Sequence, residues 1–277
     1  MNDFMKQIEL IAADIDGTIV NEDRHFTDLT REVLTEYHNA GIKIGIASGR
    51  PLIHQKARIR DWKIPFEFDF LIGYSGGQLY DASTGKEDSF WLLSCDTLHE
   101  IMDLMSPFLD RVTTQIYLED YILGTRADSY SVRAAKRNGT ELRLCDDLSA
   151  YYAQPLHNIL FRIPDETVTP AVEEYLSHVH SSDFQFFKTQ PNLFEFQDPR
   201  VNKGDALRIY CERHGIGLQR TIAFGDLSND LPLLKAAGTG VAMKNGSDDV
   251  KAAADEITEY TNDEDGLARH LRSHYPL

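Results

Sequence analysis

Short apolar runs that break off into polar residues recur along this chain, and they constrain its fold more than any other feature. Ile8-Glu9-Leu10-Ile11-Ala12 leads into Ala13-Asp14-Ile15-Asp16-Gly17-Thr18, and Ile42-Lys43-Ile44-Gly45-Ile46-Ala47 leads into Ser48-Gly49-Arg50-Pro51. Thr221-Ile222-Ala223-Phe224 leads in the same way into Gly225-Asp226-Leu227-Ser228-Asn229-Asp230. Between the first two runs, Thr27 can cap a helix whose apolar positions Leu29, Val33, Leu34 and Tyr37 keep helical spacing, with Gly41 as its stop. Short apolar runs alternating with amphipathic helices are the rhythm of a parallel sheet covered by helices. Open sheets of that kind bind ligands beyond the carboxyl ends of their strands, which is where each polar cluster falls.

A further run, Phe68-Asp69-Phe70-Leu71-Ile72, closes into Gly73-Tyr74-Ser75-Gly76-Gly77, a tight turn or a close backbone approach to a ligand. From about Asp81 the texture changes. Thr114-Gln115-Ile116-Tyr117-Leu118 and Tyr121-Ile122-Leu123, split by Glu119-Asp120, read as a hairpin rather than a βα unit. Amphipathic helices are expected around Leu98, Ile101, Met102, Met105 and Leu109, and around Val172, Tyr175, Leu176 and Val179, with strands at 158–163, 184–187 and 193–196. The βα rhythm resumes near Gln197, with Lys203-Gly204 opening a helix, Gly240-Val241-Ala242-Met243 a further strand, and Asp248 and Asp249 at a helix N-terminus. The expected fold is therefore α/β, a doubly wound parallel sheet formed by residues 1–80 and 196–277, with an inserted α+β domain over 81–195.

At 277 residues with 42% hydrophobic and 26% charged residues, the chain has the composition of an ordinary globular protein long enough for two domains. Its formal net charge of −16 argues against a nucleic-acid backbone or an anionic membrane as partner. It leaves room for a phosphorylated substrate, because local cations act within a Debye length of about 10 Å. No run approaches a membrane span and the N-terminus has no signal-peptide pattern, so a cytoplasmic location is expected. Cys95, Cys145 and Cys211 are widely spaced, odd in number and without CxxC spacing, which fits a reducing compartment.

The residue types complement one another. Asp14-x-Asp16-Gly17 alone also fits a plain turn, yet independent turns have no reason to carry matching chemistry at several strand ends. Phosphate-monoester hydrolysis calls for accelerations up to about 10²¹, so several groups must act together. Asp14 can attack phosphorus to give an aspartyl-phosphate, and Asp16 can serve as general acid and base. An anionic nucleophile facing an anionic phosphate calls for Mg²⁺, which Asp14 and Asp226 suit, with Asp230 in support and Asn229 at the phosphate or a metal-bound water. Ser48 and the N–H of Gly49 can bond phosphoryl oxygens, and Lys203 can neutralise them.

In that order, Asp14-Ile15-Asp16-Gly17-Thr18, Ser48-Gly49-Arg50, Lys203-Gly204 and Gly225-Asp226-Leu227-Ser228-Asn229-Asp230 resemble the four motifs of the haloacid dehalogenase superfamily. The Ser-Gly-Arg, the placing of the insert, and the tail segments Val241-Ala242-Met243-Lys244-Asn245 and Asn262-Asp263-Glu264-Asp265-Gly266 are similar to its Cof-type phosphatases with an α+β (C2-type) cap. The resemblance implies a Rossmannoid core, a mobile cap and Mg²⁺-dependent dephosphorylation of small phosphorylated metabolites, with sugar phosphates as the class. It assigns Asp14 as nucleophile, Asp16 as general acid/base, and Ser48 and Lys203 as phosphate binders. Mg²⁺ would be held by Asp226, Asp14 and the backbone carbonyl of Asp16, with Asn229 and Asp230 around it. Leu227 stands where many relatives carry Asn, and Ser75-Gly76-Gly77 where they usually carry Asn-Gly-Ala, so no substrate contact is assigned to that loop.

A phosphomutase, which passes the phosphoryl group to a second sugar hydroxyl, is the alternative enzyme. A non-catalytic module that binds Mg²⁺ and phosphoryl groups is the alternative outside enzymes, and the presence of Asp16 speaks against it. Arg50 suits phosphate recognition, against the plainer reading of a solvated helix-start arginine. Arg133, Lys136 and Arg137 are read as an exposed helix face, His178 and His180 as surface residues, and Asp263-Glu264-Asp265 as a helix start rather than a calcium loop. Oligomeric state has no signature here.

Overall fold

A computed structural model describes residues 8–118 and 120–277; Glu119 and the side chains of Arg137 and Asn138 lie outside the described residues. The chain divides into two compact units, one taking the chain up to Phe90 and again from Asn202 to Leu277, the other Trp91–Val201.

The first unit opens with β1 (Leu10–Ala13), α1 (Asp28–Asn39), β2 (Lys43–Ala47), α2 (Leu52–Asp61), β3 (Phe70–Gly73), β4 (Gln78–Asp81) and β5 (Lys86–Ser89). The second holds α3 (Cys95–Met105), β6 (Thr113–Tyr117), β7 (Tyr121–Gly124), α4 (Ser129–Asn138), β8 (Glu141–Leu144), β9 (Asn158–Arg162), α5 (Thr169–Ser177), β10 (Gln185–Gln190) and β11 (Leu193–Gln197). The first resumes with α6 (Lys203–His214), β12 (Thr221–Gly225), α7 (Leu231–Ala236), β13 (Thr239–Ala242), α8 (Asp248–Ala253), β14 (Glu256–Ile257) and α9 (Gly266–His274).

The first unit's sheet has the order β14-β13-β12-β1-β2-β3-β4-β5. From β14 to β3 all pairings are parallel; β4 and β5 are added antiparallel. Successive residues of β1 go to opposite layers. Ile11 and Ala13 pack with Val33, Leu34 and Tyr37 of α1 and Leu267 and Leu271 of α9. Leu10 and Ala12 pack with Ala206, Leu207 and Tyr210 of α6 and Leu233 of α7. Burial on both faces explains why β1 reads as a continuous apolar run, and each such Leu or Ile adds roughly 1.5–3 kcal/mol. From β1 the chain steps outward through β2 and β3, then returns on the other side at β12. The switch point of this doubly wound sheet therefore lies between β1 and β12.

The second unit is a six-stranded sheet of order β10-β11-β9-β6-β7-β8. One face carries Ile116, Leu123, Ile159, Phe161, Phe194 and Phe196 against Leu98, Ile101 and Met105 of α3 and Val172 and Leu176 of α5. β6 and β7 form the expected hairpin, but β7, α4 and β8 make a parallel βα unit that the sequence did not announce, because β8 is a mostly exposed edge strand. The division between units also differs from the sequence reading. β4 and β5 continue the first unit's sheet, so the chain leaves that unit at Phe90 rather than at residue 80. β11 pairs with β9 through Gln197, so the return comes at Asn202 rather than at residue 196. Among the described residues, no helix is long and apolar enough to cross a membrane.

Candidate active site

β1 ends at Ala13, and the N–H of Asp14 makes a last bond to the carbonyl of Phe224, 3.0 Å away on β12. The chain then leaves the sheet. Gly17 takes φ +83°, and a Cβ there would stand 2.4 Å from Asp226 Oδ2, so only glycine lets the loop pass the acid at the end of β12. Thr18 donates its hydroxyl to Asp226 Oδ1 at 2.8 Å, which fixes that carboxylate against the first motif. Asn245 closes the loop from the tail, donating to the carbonyl of Gly17 at 2.8 Å.

Lys203, the first residue of α6, is fully buried. Asn202 caps this helix by accepting from the N–H of Asp205, and the lysine side chain meets Asp14 Oδ1 and Asp230 Oδ1, each at 2.5 Å. An ammonium carries three donors, so one remains for a substrate oxygen. The other oxygen of Asp230 accepts from the N–H groups of Asp226 and Leu227, at 2.9 and 3.0 Å. Asp230 thus ties its own loop to Lys203. Oxygens of Asp14, Asp226 and Asp230 lie within 4.8 Å of one another, all on buried residues.

One ammonium does not balance three crowded carboxylates. Burial and the Asp230 charge push Asp226 up to about 7, and burial drives Asp14 well above its ordinary range, only partly opposed by Lys203. Burial would lower the Lys203 ammonium, but Asp14 and Asp230 outweigh it and keep it charged. Buried carboxylate oxygens that repel one another are a hard-oxygen site short of positive charge, so these residues fit a divalent cation. Asp16 is not in that cluster. Its side chain, half-buried, turns to Arg50, whose Nη2 and Nε stand 2.6 and 3.0 Å from Oδ2. Burial would raise Asp16, but the charge and hydrogen bonds of Arg50, with Arg24 and Arg58, hold it below the usual carboxylate range.

Ser48 is buried at the end of β2, where its hydroxyl accepts from the N–H of Arg50 at 3.3 Å. Its carbonyl accepts from the N–H of Ser75, so the loop after β3 braces the loop after β2. That brace extends to α6: a Cβ on Gly76, at φ +117°, would meet the carbonyl oxygen of Asn202 at 2.1 Å. The side chain of Asn229, half-buried beside Asp230, makes no hydrogen bond among the described residues. The structure thus gathers Asp14, Lys203, Asp226 and Asp230 into one cluster, joins Asp16 to Arg50 beside it, and sets Ser48 and Gly49 at the neighbouring strand end. On α4, Arg133 and Lys136 are exposed, as are His178 and His180 at the end of α5. Thr18 and Asn245 were quoted in motifs without a role; Arg24 had no signal, since its contact depends on a turn.

Residues 11–271 match the family model described as haloacid dehalogenase-like hydrolase. The chain belongs to this family. It is similar to the 5-amino-6-(5-phospho-D-ribitylamino)uracil phosphatase YitU of Bacillus subtilis strain 168, 28% identical over 97% of this chain and 98% of that protein. Among solved structures, a haloacid dehalogenase-like hydrolase from Bacteroides thetaiotaomicron superposes with a TM-score of 0.83 at 28% identity, covering 96% of this chain and 98% of that one. The subclass IIB sugar phosphatase BT4131 shares the fold with a TM-score of 0.79 at 21% identity, covering 97% of this chain and 100% of that one.

Proposed function

We propose that this hydrolase dephosphorylates small phosphorylated metabolites of the sugar or polyol phosphate class, with Mg²⁺ and through an aspartyl-phosphate on Asp14. The chain is a phosphoric monoester hydrolase, and YitU, whose name gives a phosphoribityl substrate, supports a polyol chain on the phosphate. The observation that carries the reading is the cluster of Asp14, Asp226 and Asp230 around the buried Lys203 at the sheet's switch point.

Asp14, Asp226 and the backbone carbonyl of Asp16 would hold Mg²⁺, with Asp230 and Asn229 around them, and the bound ion supplies charge that lets an anionic nucleophile meet an anionic phosphate. Lys203 orients Asp14 through Oδ1, and no described donor reaches Asp14 Oδ2, which is the oxygen set to attack. Attack forms the bond from Asp14 to phosphorus as the bond to the leaving oxygen breaks, and Asp16, protonated once the anionic substrate draws Arg50 away from its carboxylate, gives that oxygen its proton. Asp16 then takes a proton from water, whose oxygen attacks phosphorus and frees Asp14 and inorganic phosphate. Ser48, the Gly49 N–H and the third Lys203 proton bind phosphoryl oxygens, a well-placed donor contributing roughly 3–4 kcal/mol to the transition state.

The test is a screen of phosphorylated metabolites for phosphate release with Mg²⁺ and with EDTA. Release only with Mg²⁺ is expected, lost in Asp14→Asn while the circular dichroism stays native. Asp16→Asn should cost about 10²–10⁴ in kcat, most for poor leaving groups. Wild-type rates in both variants would refute the mechanism.

A further inference from the structure

The tail of the first unit grips the turn that carries Asp16. Asn245, after β13, donates from Nδ2 to the carbonyl of Gly17 at 2.8 Å, and its Oδ1 accepts from the N–H of Asn262 at 3.0 Å. A donor used on one side and an acceptor on the other fix which way this amide points. Asn262 is buried and reaches the same turn, donating from Nδ2 to the carbonyl of Val20 at 3.0 Å. Next to it, Asp263 Oδ1 accepts from the N–H of Glu22 at 2.7 Å. Inside the turn, the carbonyl of Asp14 accepts from the N–H of Ile19, and that of Ile15 from the N–H groups of Thr18, Ile19 and Val20. Between Asp14 and Gly17, only the carbonyl of Asp16 accepts no hydrogen bond among the described residues.

Gly17 stands between Asp16 and Thr18 at φ +83°, with no side chain of its own to hold that conformation. Untethered at its carbonyl, the glycine would rotate, and the Asp16 groups before it and the Thr18 hydroxyl after it would turn with it. We infer that Asn245, locked by Asn262, is a positioning residue for the phosphatase reaction. It fixes the turn so that Asp16 presents its open carbonyl to Mg²⁺ and its carboxyl group to the leaving oxygen, while Thr18 holds Asp226. The inference rests on the roles proposed above for Mg²⁺ and Asp16. The plainer account makes Asn245 an exposed residue whose hydrogen bonds add a little stability and leave the chemistry alone. The two accounts part at the metal. Outer hydrogen bonds that aim a metal ligand change metal affinity about 10- to 100-fold when lost, whereas a lost surface bond changes only the folded fraction.

The test takes Asn245→Ala, at an exposed position outside the apolar cores, and reads Mg²⁺ affinity by calorimetry and kcat at saturating Mg²⁺ by phosphate release. Mg²⁺ binding should weaken about 10-fold. kcat should fall further for phenyl phosphate than for p-nitrophenyl phosphate, because the poorer leaving group depends more on the proton from Asp16. Wild-type Mg²⁺ affinity in Asn245→Ala, or equal losses on the two esters, with native circular dichroism overturns the inference and leaves the phosphatase reading standing. So does an equal loss of Mg²⁺ affinity in Thr27→Ala, which loosens the same segment at Asp265 alone. A wild type that neither binds Mg²⁺ nor releases phosphate from any ester of the metabolite screen overturns both.

Discussion

Single side chains in this protein are set by the groups that neutralise or fail to neutralise them. Thr18 is the lone hydrogen-bond donor to the Asp226 carboxylate among the described residues. Thr18→Val removes that bond while keeping the volume, and calorimetry should show Mg²⁺ affinity falling about 10- to 100-fold, as for other residues that orient a metal ligand. Glu195, on β11, is the opposite case, a buried acid whose Oε1 accepts a hydrogen bond from Asn158 Nδ2 at 2.7 Å. Burial pushes its pKa from 4.5 to about 7. Across that interval the folded chain binds more protons than the unfolded one, so the stability this group contributes is present below pH 4.5 and is lost as pH rises through 7. Glu195→Gln should therefore raise Tm at pH 8 and flatten its decline between pH 4.5 and 7, as followed by calorimetry. None of this could be read beforehand. The sequence shows which residues carry charge, whereas Thr18 and Glu195 acquire their roles from strands far apart in the chain.

Elements turn these side chains into a site by presenting them at common ends. Alternation of apolar runs and helical spacing made β1, α1, β2, α6, β12 and β13 legible, because burial on both faces writes itself into composition. β8 was illegible because an exposed edge strand buries too little to leave such a pattern. The boundary at Phe90 was missed because antiparallel β4 and β5 have the texture of the insert while pairing with the core. Caps and close approaches separate stability from activity. Thr27→Ala removes the α1 cap and a hydroxyl bond to Asp265, and should cost about 1 kcal/mol in denaturant titration with kcat per folded molecule unchanged. Gly76→Ala pushes on Asn202, which caps α6 one residue before Lys203, so kcat per folded molecule should fall together with Tm. Equal kcat in the two variants would show that the loop after β3 does not set the lysine.

At the scale of the whole molecule, each unit has its own apolar core, and the candidate metal ligands belong to the first unit alone. Mg²⁺ at about 100 times its Kd should stabilise that unit by about 2.7 kcal/mol and leave the other unaffected. Scanning calorimetry should then show one of two transitions moving between EDTA and Mg²⁺; a single transition shifting as a whole would contradict independent cores. The insertion also gives the active site a history. Asp14 and Lys203 touch across a sequence separation of 189 residues, and the second unit occupies most of that interval. During synthesis Asp14 is made before the insert, and Lys203, Asp226 and Asp230 after it. The insert has its full set of strands before β12 exists to pair with β1, so closing the central sheet is a late, long-range event of the kind that slows folding. A chain that stops anywhere short of Lys203 carries Asp14 without the lysine and acids that surround it in the fold, so the cluster assembles only after the whole insert has been made.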